Sequence, residues 1–230
     1  MLDMTRSSVS DSQPRRMPSE RPGPPGGKRD RNRKERTEAL LAAGLGLFLD
    51  RGLEAVTVDD IARAAGMAKG NFYRYFRDKD DLVDALFEPI VEEMRAAMRR
   101  CAEDLAVAGG PVELYAAYEA LARSLAEAAL PRPGVVRLYL QERRSPGVGA
   151  RAPIRRLSNQ IDEASIELSN VAVEHGLLRV RDPRISAYAV VGAVEELMLA
   201  VLQERLDAPP EEIIETLIGL VLDGIRAPQA

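Results

Sequence analysis

The segment from Thr57 to Leu82, TVDDIARAAGMAKGNFYRYFRDKDDL, constrains the fold more than any other stretch of the chain. Thr57 suits a helix N-cap, and Asp60 three residues on supplies the acidic half of a capping box. Val58, Ile61, Ala62 and Ala65 then share one face of a helix over 58–65. Gly66 provides a turn. A second short helix over 69–76 sets Phe72 and Phe76 one turn apart, so both point into a core. Gly70, Asn71, Tyr73, Arg74 and Tyr75 are left on the outer face and its flanks. Apolar anchors beneath short or polar outer residues are what a helix-turn-helix needs to seat a helix in a DNA major groove.

The flanks extend this unit. Leu41, Leu45, Phe48 and Leu49 fall at helical spacing, predicting a helix from about Arg33 to Arg51 closed by Gly52 as a left-handed cap. Gly44 inside it points to a close helix crossing. Residues 1–30 mix Ser, Pro, Gly, Arg and Asp and cannot bury a core, which predicts a disordered basic tail. The run Lys28–Arg36 fits a solvated tail and a phosphate or minor-groove contact equally well. Residues 31–79 are expected to form the helix-turn-helix domain and residues 80–230 a second, helical one. Helices are expected from Lys79 to about Val107 with a kink at Pro89, then over about 112–129, 135–144, 153–175, 185–206 and 210–225. The fold class is all-α.

Charge follows the same division. Residues 1–79 carry 16 Lys and Arg against 11 Asp and Glu, whereas residues 80–230 carry 16 against 25. A basic front on an acidic body suits a head that approaches phosphates and a body that avoids them. The single cysteine, Cys101, forbids an internal disulfide and makes a cytoplasmic protein the expectation. One histidine, His175, and one cysteine far from it exclude an ordinary zinc site. Neither a metal nor a cofactor is expected. His175 before Gly176 suits a ring that caps helix-end carbonyls. No apolar signal segment opens the chain, and the most apolar stretch, over 185–202, contains Glu195 and Glu196, so it reads as a buried helix and not a membrane span.

With these residues in view, the chain resembles the tetracycline-repressor (TetR) family of bacterial transcription regulators. The resemblance rests on LLAAGLGLFLDRG over 40–52, VTVDDIARAAG over 56–66 and NFYRYFRDKDDL over 71–82. It implies that Tyr73 and Lys79 contact DNA phosphates and that Thr57 meets the backbone at the start of the second helix. It further implies that Lys69, Gly70, Asn71 and Tyr75 read or approach base edges. The residue chemistry agrees, since Asn can bond adenine in bidentate fashion and a lysine beside helix amides suits phosphate. Tyr73 considered alone could equally be a core tyrosine. Ala68 departs from the pattern where Ser or Thr often caps the third helix, as does Gly44 where Ala is usual.

For residues 80–230 the resemblance implies a body that binds an effector and dimerises through its last two long helices. Ala189, Gly192 and Ala193 are small enough for close helix crossing, and Glu195 and Glu196 would need arginine partners or an exposed edge. Ala189, Gly192, Ala193 and Glu196 are the candidate dimer contacts. Phe87, Met94, Met98, Tyr115, Tyr118, Tyr139 and Glu142 are the candidate effector-pocket residues, although Met and aromatic residues at helical spacing also make ordinary core. The expected function is a homodimeric repressor, released from a palindromic double-stranded DNA operator by a small-molecule effector of unknown class. A constitutive DNA-binding protein with a filled body stays open as an alternative. So does an all-α enzyme with a structural helix-turn-helix, against which stands the lack of a nucleophile–base pair or a phosphate loop.

Overall fold

The computed structural model of the chain describes residues 27–223, which are helical and contain no strand. The chain divides into two units between Glu35 and Arg36. Most of the expected tail lies outside the described residues, as does the expected end of the last helix beyond Asp223. Lys28–Asp30, placed in the tail by composition, are helical instead. They open α1 (Lys28–Arg51), whose residues 28–36 are exposed.

In the second unit α1 is followed by α2 (Val58–Ala64), α3 (Lys69–Phe72), α4 (Lys79–Val107) and α5 (Pro111–Ala129). Then come α6 (Pro133–Glu142), a 3-10 turn (Gly149–Arg151), α7 (Ala152–Glu174), α8 (Pro183–Leu202) and α9 (Pro210–Leu222). The helix α4 continues through Pro89 and packs against α5 and α7, while α8 packs on α7 and α9 on α5. One apolar core runs from Leu40, Phe48 and Ile61 through Leu82, Phe87 and Leu105 to Leu168 and Ala172.

Two glycines have clear reasons. Gly52 lies at φ +78° and ends α1. A Cβ on Gly44 would meet Leu82 Cδ2 at 2.9 Å, so the first helix must be bare where α4 crosses it. At the far end α8 stops at Leu202, four residues before the expected Leu206. Glu204 takes φ +56° and the Arg205 N–H returns to the Ala200 carbonyl at 2.9 Å, closing the helix as a Schellman turn. A glutamate in that conformation carries no glycine signal, so composition could not reveal the stop. His175 sets Nδ1 2.9 Å from the Val171 carbonyl at the end of α7, as a capping ring should.

The body also contains a buried polar cluster. Glu195 of α8 is 5% exposed. It accepts a hydrogen bond from the Tyr139 hydroxyl at 3.0 Å and is ion-paired with Arg143. The Arg143 guanidinium also lies over the Tyr139 ring, 5.7 Å from its centre. Glu196 points outward and pairs with Arg205 at 3.0 Å. The two adjacent glutamates thus take the two solutions open to them, a buried arginine partner and an exposed edge. Cys101 is buried, and burial pushes its thiol up to about 12, so it is inert as a thiolate nucleophile.

Candidate nucleic-acid interface

The second helix begins with a complete capping box. The Asp60 N–H donates to Thr57 Oγ1 at 3.2 Å, and the Thr57 N–H donates back to Asp60 Oδ2 at 3.0 Å. The Thr57 hydroxyl also donates to the same carboxylate oxygen at 2.6 Å. These bonds, the hydroxyl first, hold the Asp60 carboxyl below its ordinary range. Thr57 is therefore an exposed cap whose amide and hydroxyl protons both turn inward to Asp60.

Gly66, at φ +69°, reverses the chain, and the Met67 N–H closes the turn onto the Ala62 carbonyl at 2.8 Å. The third helix is shorter than the expected 69–76. It ends at Phe72 and continues as a tight turn in which Arg74 and Tyr75 N–H groups reach back three residues, to Asn71 and Phe72. Its N-cap, Ala68, offers no side-chain hydrogen bond, which leaves the first amides without the support that would lengthen it.

The split between buried aromatic anchors and an exposed polar side is present over most of this segment. Phe72 is 0% exposed and packs edge-on against Tyr73, with ring centres 5.6 Å apart. Phe76 lies beside it at 5.7 Å. Lys69, Gly70, Asn71, Tyr73 and Arg74 are exposed on the other side. Tyr75 differs, since it is half-buried and packed on the core, and only part of its ring faces solvent.

Lys79 has a structural duty that its sequence position does not announce. Its Nζ donates to the Leu53 carbonyl at 2.6 Å and the Val56 carbonyl at 2.9 Å, clamping the α1–α2 connection to the start of α4. Two of its three ammonium donors are used in this way, which leaves one for another partner. Beside it, Asp78 caps α4 through the Asp81 N–H at 2.8 Å. Asp81 binds the Arg77 guanidinium and amide, each at 2.9 Å, and these bonds hold its carboxyl below the ordinary range. This set was missed in the sequence, although D-K-D-D over 78–81 has capping-box spacing.

The residues proposed for an effector pocket do not line a single cleft, although Phe87 packs edge-on against Tyr139 with ring centres 6.5 Å apart. Phe87 borders an open cleft of about 400 Å³ between α4 and α7, shared with Glu88, Arg95, Arg156 and Gln160. Met94 and Met98 border a neighbouring cleft of about 220 Å³. Tyr115, Tyr118, Tyr139 and Glu142 border neither. Tyr139 is spent on Glu195, and Glu142 accepts a 2.6 Å hydrogen bond from Arg151. Tyr118 is half-buried, and burial raises its hydroxyl well above the usual tyrosine range. Among the candidate dimer residues, Ala189 and Glu196 are exposed and Gly192 and Ala193 half-buried. No cluster of His, Cys, Asp and Glu suited to a metal occurs among the described residues.

Comparison with known proteins places this geometry. Residues 40–86 match the sequence profile of bacterial regulatory proteins of the tetR family. Over 51 residues the chain is 47% identical to the uncharacterised HTH-type transcriptional regulator YwcC of Bacillus subtilis (strain 168), covering 22% of this chain and 23% of that protein. It is 26% identical to the HTH-type transcriptional repressor KstR2 of Rhodococcus jostii (strain RHA1), over 84% of this chain and 92% of that one. In fold it is similar to the fatty acid degradation regulator FadR from Bacillus halodurans, with a TM-score of 0.64 at 18% identity over 91% of this chain and all of that one.

Proposed function

The chain belongs to the tetR family of bacterial regulatory proteins, and from that premise we propose a homodimeric transcriptional repressor. It occupies a palindromic DNA operator and leaves it when a small molecule binds the helical body. The observation that carries this reading is the two-sided segment of α3 and the turn after it, with Phe72 and Phe76 buried and Lys69, Gly70, Asn71, Tyr73 and Arg74 exposed. Residues 31–79 act as the DNA-binding head and residues 80–230 as the effector and dimer body. Asn71 reads base edges, assisted by Lys69, Gly70 and the exposed part of Tyr75. Tyr73 and the remaining proton of Lys79 hold phosphates. Thr57 serves chiefly by fixing the start of α2.

The dimer is formed by α8 and α9. Helix α8 is apolar and long enough to cross a membrane, yet only 17% of it is buried within one chain. Its charged Glu195 and Glu196 and its family favour a second copy as cover over lipid, in a cytoplasmic protein. The effector would enter the α4–α7 cleft. Body conformation and operator affinity are linked only if the ligand favours one body state over the other. One observation favours the constitutive alternative, namely that Tyr139 and Glu142 already satisfy partners within the chain.

The test is a duplex selected from a random pool by the full chain, then titrated with variants. Asn71→Ala should relax preference at particular base pairs by about 1–3 kcal/mol each. Lys79→Ala should weaken all sequences alike and flatten the salt dependence by roughly 0.9 in log–log slope. A chain that selects no duplex, or an Asn71→Ala variant with uniform loss and intact preference, would overturn the assigned roles.

A further inference from the structure

The α1–α2 connection is held from two sides, and only one of them belongs to the head. Lys79 clamps the carbonyls of Leu53 and Val56 from the start of α4. Glu54, lying between those two residues, is bound from the body by Arg151, whose Nη1 stands 3.0 Å from Glu54 Oε1. The same guanidinium donates through Nε to Glu142 of α6 at 2.6 Å. Arg151 is thus a bridge between a body helix and the loop that ends three residues later in the Thr57 cap. The Glu142 and Arg151 side chains are 11% and 21% exposed, so this part of the bridge is shielded from water far more than a surface ion pair. Its hydrogen bond to Glu142 raises the already high Arg151 pKa, so the guanidinium keeps its charge at any working pH.

Helix α6 makes a second, apolar approach to the head. A Cβ on Gly134 would lie 3.2 Å from Leu45 Cδ2 and 3.5 Å from Leu49 Cδ1 of α1. The same helix is tied to the interior at its other face. Tyr139 and Arg143, one turn apart, grip the buried Glu195 of α8. Glu142 sits between them in sequence and bonds Arg151 instead. A displacement of α6 against α8 must therefore pull on Glu54 through two hydrogen-bonded carboxylates.

We propose that Arg151 is a positioning residue for DNA reading, which sets the α1–α2 loop, and so the α2–α3 unit, by joining Glu142 of α6 to Glu54. The inference rests on the DNA-reading function above. Helix α6 then carries the state of the body to the head alongside the continuous α4. The residues of the bridge touch no DNA, and their effect reaches it only through the loop.

Two measurements on the full chain test this. The first is amide hydrogen exchange on the wild type, Arg151→Gln and Glu54→Gln. Exchange over residues 52–58 should quicken by about tenfold in either variant, with α5 and α9 unchanged. A merely structural loss would quicken all of them together. The second is a double-mutant cycle on binding to the selected duplex. Each single variant should bind about tenfold more weakly, and Arg151→Gln should add little once Glu54 is Gln. Unchanged exchange over 52–58, or losses that add in full, would overturn the proposal. The exchange arm needs no DNA. A wild-type chain that selects no duplex overturns the DNA-reading function, while the bridge still stands or falls on exchange.

Discussion

The α2–α3 unit and the α8–α9 pair treat apolar surface in opposite ways. In the first, Ile61, Ala62 and Phe72 are fully buried within one chain, and the exposed side is left to Lys69, Gly70, Asn71 and Arg74. In the second, a helix of 20 residues buries only Ala187, Val191 and Glu195. Ile185 and Tyr188 on α8 remain 69% and 55% exposed, and Leu220 and Val221 on α9 remain 47% and 40% exposed. The short helices are finished within the monomer and keep a polar face for a polar partner. The long ones carry more apolar surface than their own chain can cover, which calls for an apolar partner. The buried ion pair of Glu195 with Arg143 fixes which side of α8 faces inward.

The harshest way to break the first half of this contrast is to empty the head. Phe72→Ala removes a fully buried ring from beneath the reading face and should cost about 3–5 kcal/mol in urea unfolding, with loss of duplex binding. A cost below about 1 kcal/mol would mean that the head is not built on that ring. The second half is sharpened by Tyr188→Glu, which sets a charge on the exposed side of α8. The proposed dimer should weaken by roughly a hundredfold in sedimentation, a loss of about 3 kcal/mol. The monomer should keep its melting behaviour, because Tyr188 is already exposed. An unchanged dimer would move the interface elsewhere.

The same contrast explains how much could be read before folding. The head was legible because its defining contacts are local. Thr57 and Asp60 are three residues apart, Phe72 and Phe76 four, and the Gly66 turn closes over five. Periodicity and capping rules see that range. The extent of the long α4, from about Lys79 to about Val107, is legible because Gly109-Gly110-Pro111 breaks the chain after it. What failed depends on distance along the chain. Tyr139 meets Glu195 across 56 residues, and Arg151 meets Glu54 across 97. Residue type suggested Tyr139 and Glu142 as pocket walls, but nothing local says that each is already taken by a partner. The clamping role of Lys79 is not legible locally, because its two carbonyl acceptors lie 26 and 23 residues away.

The mildest test separates the two duties a head residue can have, holding the helix and touching DNA. Thr57→Ala removes the cap of α2 and should cost about 1 kcal/mol of stability, with Thr57→Ser close to wild type. The effect carries a pH signature. Asp60 is held below its ordinary 3.8 by the Thr57 hydroxyl and then its amide. A carboxyl depressed in the folded chain stabilises it fully above the ordinary value, and that support fades as pH falls through the folded one. Wild type should therefore lose stability below about pH 4 more steeply than Thr57→Ala, and urea midpoints taken from pH 7 to pH 2.5 would show the two curves converging. Parallel curves would mean that the box contributes nothing. In that case any loss of DNA affinity in the variant would make Thr57 a phosphate contact after all. Converging curves with an unchanged salt slope would make it a support, as the inward turn of both its protons implies.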